Sequence, residues 1–162
     1  MISHVTHGQS FMLTFSKNIR YYSKQNFIDS LSKVYKMMQL RISQFSLKSV
    51  KREQYIQITE EIQQIVQKTS IHNGFVKIFI PHTTAALTIN NNGNSDVIQD
   101  LNNLLNLNVP HVRLLNAEGN SDAHYKSSLV GVCLEIPVSK GKMMLGSWQG
   151  IFFCEFEQPN NC

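Results

Sequence analysis

The chain has no apolar run of about eighteen residues, so nothing in it is written as a membrane-spanning helix. Its first ten residues hold no basic stretch leading into an apolar block, so the secretory signal pattern is missing too. Cysteine is scarce: Cys133, Cys154 and Cys162 make an odd count with no zinc-like spacing. That argues against a disulfide framework and fits a reducing compartment. Cys133 and Cys154 lie in apolar runs and are expected to be inert core thiols, with Cys162 at an exposed end. No G-x-S-x-G elbow and no glycine-rich phosphate loop occurs. Nucleophilic catalysis by serine or cysteine is therefore not expected.

What is present suits one domain: 162 residues, 42% of them hydrophobic. The net charge of +4 is unevenly placed. Residues 1–38 contain Lys17, Arg20, Lys24, Lys33 and Lys36 against Asp29 alone. The rest of the chain is neutral and lacks a basic cluster, which argues against a nucleic-acid footprint. Residues 1–38 thus form a basic extension, and residues 39–158 a single domain. The extension is expected to pack poorly. Two readings stay open. It is either an upstream stretch ahead of a start at Met37 or Met38, or a mitochondrial presequence, with "RYYS" at residues 20–23 resembling a cleavage site after Tyr22. The first places the protein in the cytoplasm. The second makes it mitochondrial, with residues 1–22 removed.

From residue 39 the pattern is regular. "QLRISQFSLKS" predicts a strand with an irregularity. "REQYIQITEEIQQIVQKTS" puts Tyr55, Ile58, Ile62, Ile65 and Val66 on one helical face, with Asn73-Gly74 as its stop. "FVKIFIP" and "AALTIN" predict strands. "SDVIQDLNNLLNL" predicts a helix with Ser95 as N-cap. The last third predicts strand, tight turn at Lys140-Gly141, strand and a final strand. The order β-α-β-β-α-β-β-β gives an α+β fold, largely antiparallel and sandwich-like, flanked by two main helices.

Polar residues collect in three places. "PHTTAALTINNNGNSDVIQD" holds His82, Thr83, Asn90, Asn92, Asp96 and Asp100 around a strand. "NAEGNSDAHYKSSLVG" holds Glu118, Asn120, Asp122, His124 and Lys126. If this segment is extended, Asn120, Asp122 and His124 line one wall. If it turns into a helix after Ser121, Asp122 and Lys126 share a face instead. "GSWQGIFFCEF" adds Trp148, a flat wall, and Gln149, an amide that donates and accepts, between Gly146 and Gly150. Each residue alone has a plain alternative: strand-end histidine, helix cap, turn asparagine, core tryptophan.

"PHTTAALTINNN", "DVIQD", "AEGNSDAHYKSSLVG" and "LGSWQGIFFCEF" together resemble the YjbQ family, in the same order, between about Gln39 and Phe156. The family is long uncharacterised and linked to a secondary thiamine-phosphate synthase activity. The resemblance implies a homotrimeric α+β protein with a polar pocket. It also implies one divalent metal, zinc or a magnesium- or manganese-like ion, on the histidines matching His82 and His124. A third family histidine falls where this chain has Leu115, and two acidic family positions are Asn91 and Asn94 here. The shell is thus less acidic, and a carboxylate such as Asp122 or Glu118, or His111, would have to complete a metal set.

The reaction implied joins a hydroxymethylpyrimidine diphosphate to a thiazole phosphate and releases pyrophosphate. Asp122, Glu118 and Lys126 are the expected catalytic residues. Thr83, Asn90, Asn120, Trp148 and Gln149 are expected to line the pocket of a small phosphorylated or anionic metabolite. Two alternatives are metal-assisted hydrolysis, with Asp122 or Glu118 as general base, and a non-catalytic trimer that binds a small anion. All of them require His82, His124 and the Trp148-Gln149 ribbon to meet at one cavity.

Overall fold

Alternation decides the largest sheet. In β6 (Asn73–Phe79) Val76 and Ile78 point inward while Phe75, Lys77 and Phe79 point out, and β8 (Cys133–Ser139) repeats this with Ile136 and Val138 inward. The computed structural model describes residues 40–157 and, as backbone strands only, β1 (Gln9–Ser10) and β2 (Met12–Ser16). β6 pairs antiparallel with β8 on one side and with β2 on the other. The short strands β3 (Ile42–Ser43) and β9 (Lys142–Met143) close the two ends of this five-stranded sheet. Part of the basic extension therefore pairs with the body, Met12 opposite Phe79 and Ser16 opposite Phe75. The rest of residues 1–38 lies outside the described residues, including the cleavage motif at 20–23.

A second, three-stranded sheet has the order β5 (Gln54–Gln57), β10 (Gln149–Glu155), β7 (Ala85–Asn91), again all antiparallel. A two-stranded pair joins β1 to β4 (Ser46–Leu47). Between the larger sheets lies the main core: Val76, Ile78, Ile136 and Val138 from one, Ala85, Leu87, Ile151 and Phe153 from the other. Helix α1 (Thr59–Lys68) adds Ile62 and Val66 to it. The outer face of the three-stranded sheet buries Ala86, Cys154 and Phe156 under Ala123, with Tyr55, Leu105 and Val130 around them. β10 is thus covered on both faces, which is why "GIFFCE" is an unbroken buried run and not an alternating one.

Several expectations are corrected locally. Residues 40–47 form two two-residue strands, not one. Gln54–Gln57 is strand, so Tyr55 faces Cys154 across a ladder and does not belong to the helix. Helix α1 ends before Asn73-Gly74: Ser70 takes the left-handed backbone, φ 56°, that turns the chain, and Asn73 opens β6. The cap of α2 (Ser95–Asn108) is Asn94, whose side chain accepts from Asp96 N at 2.9 Å. A third helix, α3 (Ser121–Val130), occupies the segment left open in sequence. Cys133 is exposed on the outer face of β8, while Cys154 is buried as expected. The turn at Lys140-Gly141 is present, with φ 52° and 76°, and Gln63 pins α1 to it through Gly141 O and Met143 N.

Candidate functional site

Strand β7 and helix α3 position most of the sequence-predicted residues. Ser127 Oγ donates to Ala85 O at 2.7 Å and Leu87 N donates to Gly131 O at 2.9 Å, so helix and strand advance in the same direction. His124 lies one turn before Ser127, and His82 three residues before Ala85. Both imidazoles therefore stand at the starting end of β7. His82 is exposed; what desolvation its ring feels pulls its pKa down. His124 is half-buried. Thr83 is exposed beside His82.

The same end gathers the residues before α3. Asn120 is buried, and its amide nitrogen donates to Glu118 at 3.0 Å and to Glu157 at 2.6 Å. Its oxygen accepts from Asn116. Phe156 N donates to Thr84 O, which fastens the end of β10 here as well. Just inside, Glu155 is buried and bound by Ser49 Oγ at 2.8 Å, and burial pushes its carboxyl above the usual range.

On another face of α3 lies a cluster that sequence only half announced. With the segment helical, Asp122 and Lys126 do share a face, 3.5 Å apart. Lys126 is 1% exposed. Its ammonium is 2.7 Å from Glu53 and also meets the oxygen of Asn106. Asn102 and Asn106 donate to the other oxygen of Glu53. Asp122 accepts from Arg52 Nη2 at 2.9 and 3.1 Å and lies 3.1 Å from His111 Nδ1. Burial raises the pKa of both carboxyls, but their hydrogen bonds and cations outweigh it and hold them below the usual range. Arg52, Glu53, Asn102 and Asn106 had no signal in sequence: "KREQ" reads as a charged turn, and the asparagines as the wet side of α2. Asp122, engaged by three cationic or imidazole groups, is a poor general base. Lys126, buried among acceptors, is not open to a phosphate.

The Trp148-Gln149 ribbon is elsewhere. Gln149 pairs with Asn91 and Glu155 with Ala85, so the ribbon sits at the finishing end of β7. The six residue-to-residue steps from Ala85 to Asn91, at about 3.4 Å each, put about 20 Å between the two ends. Trp148 is 69% exposed and lies over Gly93, where an added Cβ would come within 2.6 Å of its ring. Gln149 Oε1 accepts from Gly146 N, and Asn90 Oδ1 from Asn91 N. Within one chain, then, His82 and His124 share an end, and Trp148, Gln149 and Asn90 occupy the opposite one. The single cavity expected from sequence is not formed by one chain.

Among the described residues no group of three or more His, Cys, Asp or Glu is arranged to hold a metal ion. Leu115, at the position of the missing family histidine, is fully exposed. Two imidazoles alone fall short of a four-coordinate set, so one chain's donors do not fit the implied metal. Nor is any helix among the described residues long and apolar enough to cross a membrane.

A family model described as "UPF0047 protein YjbQ-like" matches residues 43–161. The UPF0047 protein of Methanocaldococcus jannaschii is 43% identical over 116 residues, 71% of this chain and 84% of that protein. The UPF0047 protein YugU of Bacillus subtilis is 43% identical over 115 residues, 70% and 87%. A crystal structure of an uncharacterised YjbQ/UPF0047 protein from Clostridium acetobutylicum superposes with a TM-score of 0.69 at 41% identity, covering 72% of this chain and 91% of that one.

Proposed function

We propose, from the premise that this chain belongs to the YjbQ-like UPF0047 family, that it takes a small phosphorylated metabolite at the end of β7 that carries His82 and His124. The observation that supports this is the placement, by register, of His82, Thr83 and His124 toward the starting end of β7, the end where Glu118 is held by a buried Asn120. The reaction that the family resemblance suggests is thiamine-phosphate synthesis. A departing diphosphate needs hydrogen-bond donors, and the imidazoles and hydroxyl are the ones this end offers. A flat heterocycle needs a wall, which Trp148 supplies only from another copy. The exposed ring fits assembly as a homotrimer in which one subunit's Trp148-Gln149 ribbon covers a neighbour's His82 end. A metal on His82 and His124 would likewise need donors from outside one chain, and no step here depends on it.

The test incubates the purified protein with the pyrimidine diphosphate and the thiazole phosphate and follows pyrophosphate release. Activity that disappears in His82→Ala and in His124→Ala, with the fold retained, is the expected result. Equal rates in the wild type and both variants would sink the reading. Elemental analysis of the same samples reads the metal.

A second reading is a trimer that binds a small anion at the His82 end without chemistry; it is supported by the pairing of Lys126 with Glu53 and of Asp122 with Arg52, which takes both groups away from catalysis. It predicts no turnover, but a rise in melting temperature with phosphorylated ligand that His82→Ala abolishes.

A further inference from the structure

Strands β3 and β4 have one partner each among the described residues. β3 pairs with β2, and β4 with β1. Residues 42–47 therefore join the sheets only through β1 and β2, although Phe45 and Leu47 pack against the main core. β2 also takes one edge of β6, from Met12 opposite Phe79 to Ser16 opposite Phe75, while β8 takes the other edge. Without β2, every second residue of 75–79 would turn its N–H and C=O to water. That edge would be apolar. Val76 and Ile78 fill the core, Phe75 and Phe79 are exposed on the outer face, and Lys77 is the one charge in the strand. Such an edge recruits another strand, in order or in aggregates. β6 is thus a strand acceptor.

Composition and connectivity select the occupant. Residues 1–16 hold no Lys, Arg, Asp or Glu, and the basic run begins only at Lys17. The strand itself, "MLTFS", is uncharged and free of proline and glycine, as a paired strand requires. β2 and β3 are antiparallel neighbours, with Thr14 opposite Ile42, so residues 17–41 leave and return at one end of the pair. That tether holds β2 beside its own β6 at an effective concentration on the order of millimolar, ahead of a strand from another molecule. A start at Met37 or Met38 and a cleavage after Tyr22 would each remove β1 and β2 together.

We propose that the edge of β6 is a strand-accepting site occupied by the chain's own N-terminal segment, and that the mature protein keeps that segment. This site is independent of the His82 end and of any chemistry there.

The experiment is amide hydrogen exchange of the full chain, read by mass spectrometry. Expected is protection of residues 12–16 and 75–79 by about a hundredfold or more over an unstructured peptide. Thr14→Pro, which removes a ladder N–H, is expected to release both stretches and lower the melting temperature, while Thr14→Val, which keeps it, changes neither. Thr14 and Lys77 are directly opposite, at a spacing a disulfide can span, so the pair Thr14→Cys and Lys77→Cys reads the source of the strand. A link within one chain is expected. A link between chains, or none, overturns the proposal, as does exchange of residues 12–16 at the unstructured rate. N-terminal sequencing of the protein from its own cells is expected to begin ahead of Gln9; a mature chain beginning at Ser23, Met37 or Met38 overturns the retention of the segment.

Discussion

Lys126 shows how a residue's surroundings set its part. Its ammonium is buried against Glu53 and Asp122, so its work is to hold α3 against the segment before β5. Lys126→Ala leaves two carboxylates short of a cation and is expected to cost about 3 kcal/mol or more, measured by chemical denaturation. A loss under 1 kcal/mol would mean that water replaces the ammonium freely. Glu155 behaves oppositely with pH. Its folded pKa is raised, so its neutral form is favoured in the native state, and ionisation above the ordinary carboxyl range opposes folding. Glu155→Gln is therefore expected to gain stability relative to the wild type as pH rises from 4 to 8. Thermal melts across that range check the sign; a gap that shrinks with pH refutes it. Glu53 and Asp122, whose pKa values are lowered, stabilise the fold above the unfolded carboxyl range and lose that contribution as pH falls below about 4.

At the scale of elements, α2 begins on the Asn94 side chain, one residue earlier than the serine that composition suggests. Asn94→Ala is expected to cost about 1 kcal/mol and Ser95→Ala only a few tenths. Equal losses in paired denaturation curves would contradict that assignment. In β10, Gly150 lies where an added Cβ would stand 2.7 Å from Asn92 Cβ, so Gly150→Ala must push the strand or the loop aside. The expected cost is about 1–3 kcal/mol, read from the melting temperature. At Gly93 the obstacle is the exposed ring of Trp148, which can swing away, so Gly93→Ala is expected to be milder.

For the whole molecule, the two ends of β7 are the decisive fact. One chain separates the imidazoles from the aromatic wall by the length of a strand, so an enclosed pocket needs a second copy. Sedimentation is expected to report a trimer. Trp148→Ala is expected to weaken that assembly while leaving far-ultraviolet circular dichroism unchanged, since the ring contributes little to its own subunit's core. A monomer with full activity would remove the shared-pocket reading.

The amino-acid sequence alone determined the alternating strands β6 and β8, the buried run of β10, the turn at Lys140-Gly141 and the family, because periodicity, glycine chemistry and motif order are local properties. It also gave the choice for α3: Asp122 and Lys126 as neighbours if helical, Asp122 and His124 if extended. Only the tertiary structure decided between them, since it is Ala123 packing on Ala86 and Cys154, together with Ser127 bonding Ala85, that fixes the helix. Tertiary structure alone, too, brought Arg52 and Glu53 some seventy residues along the chain to α3. It also parted His82 from Trp148, because strand register has no trace in the spacing of polar residues.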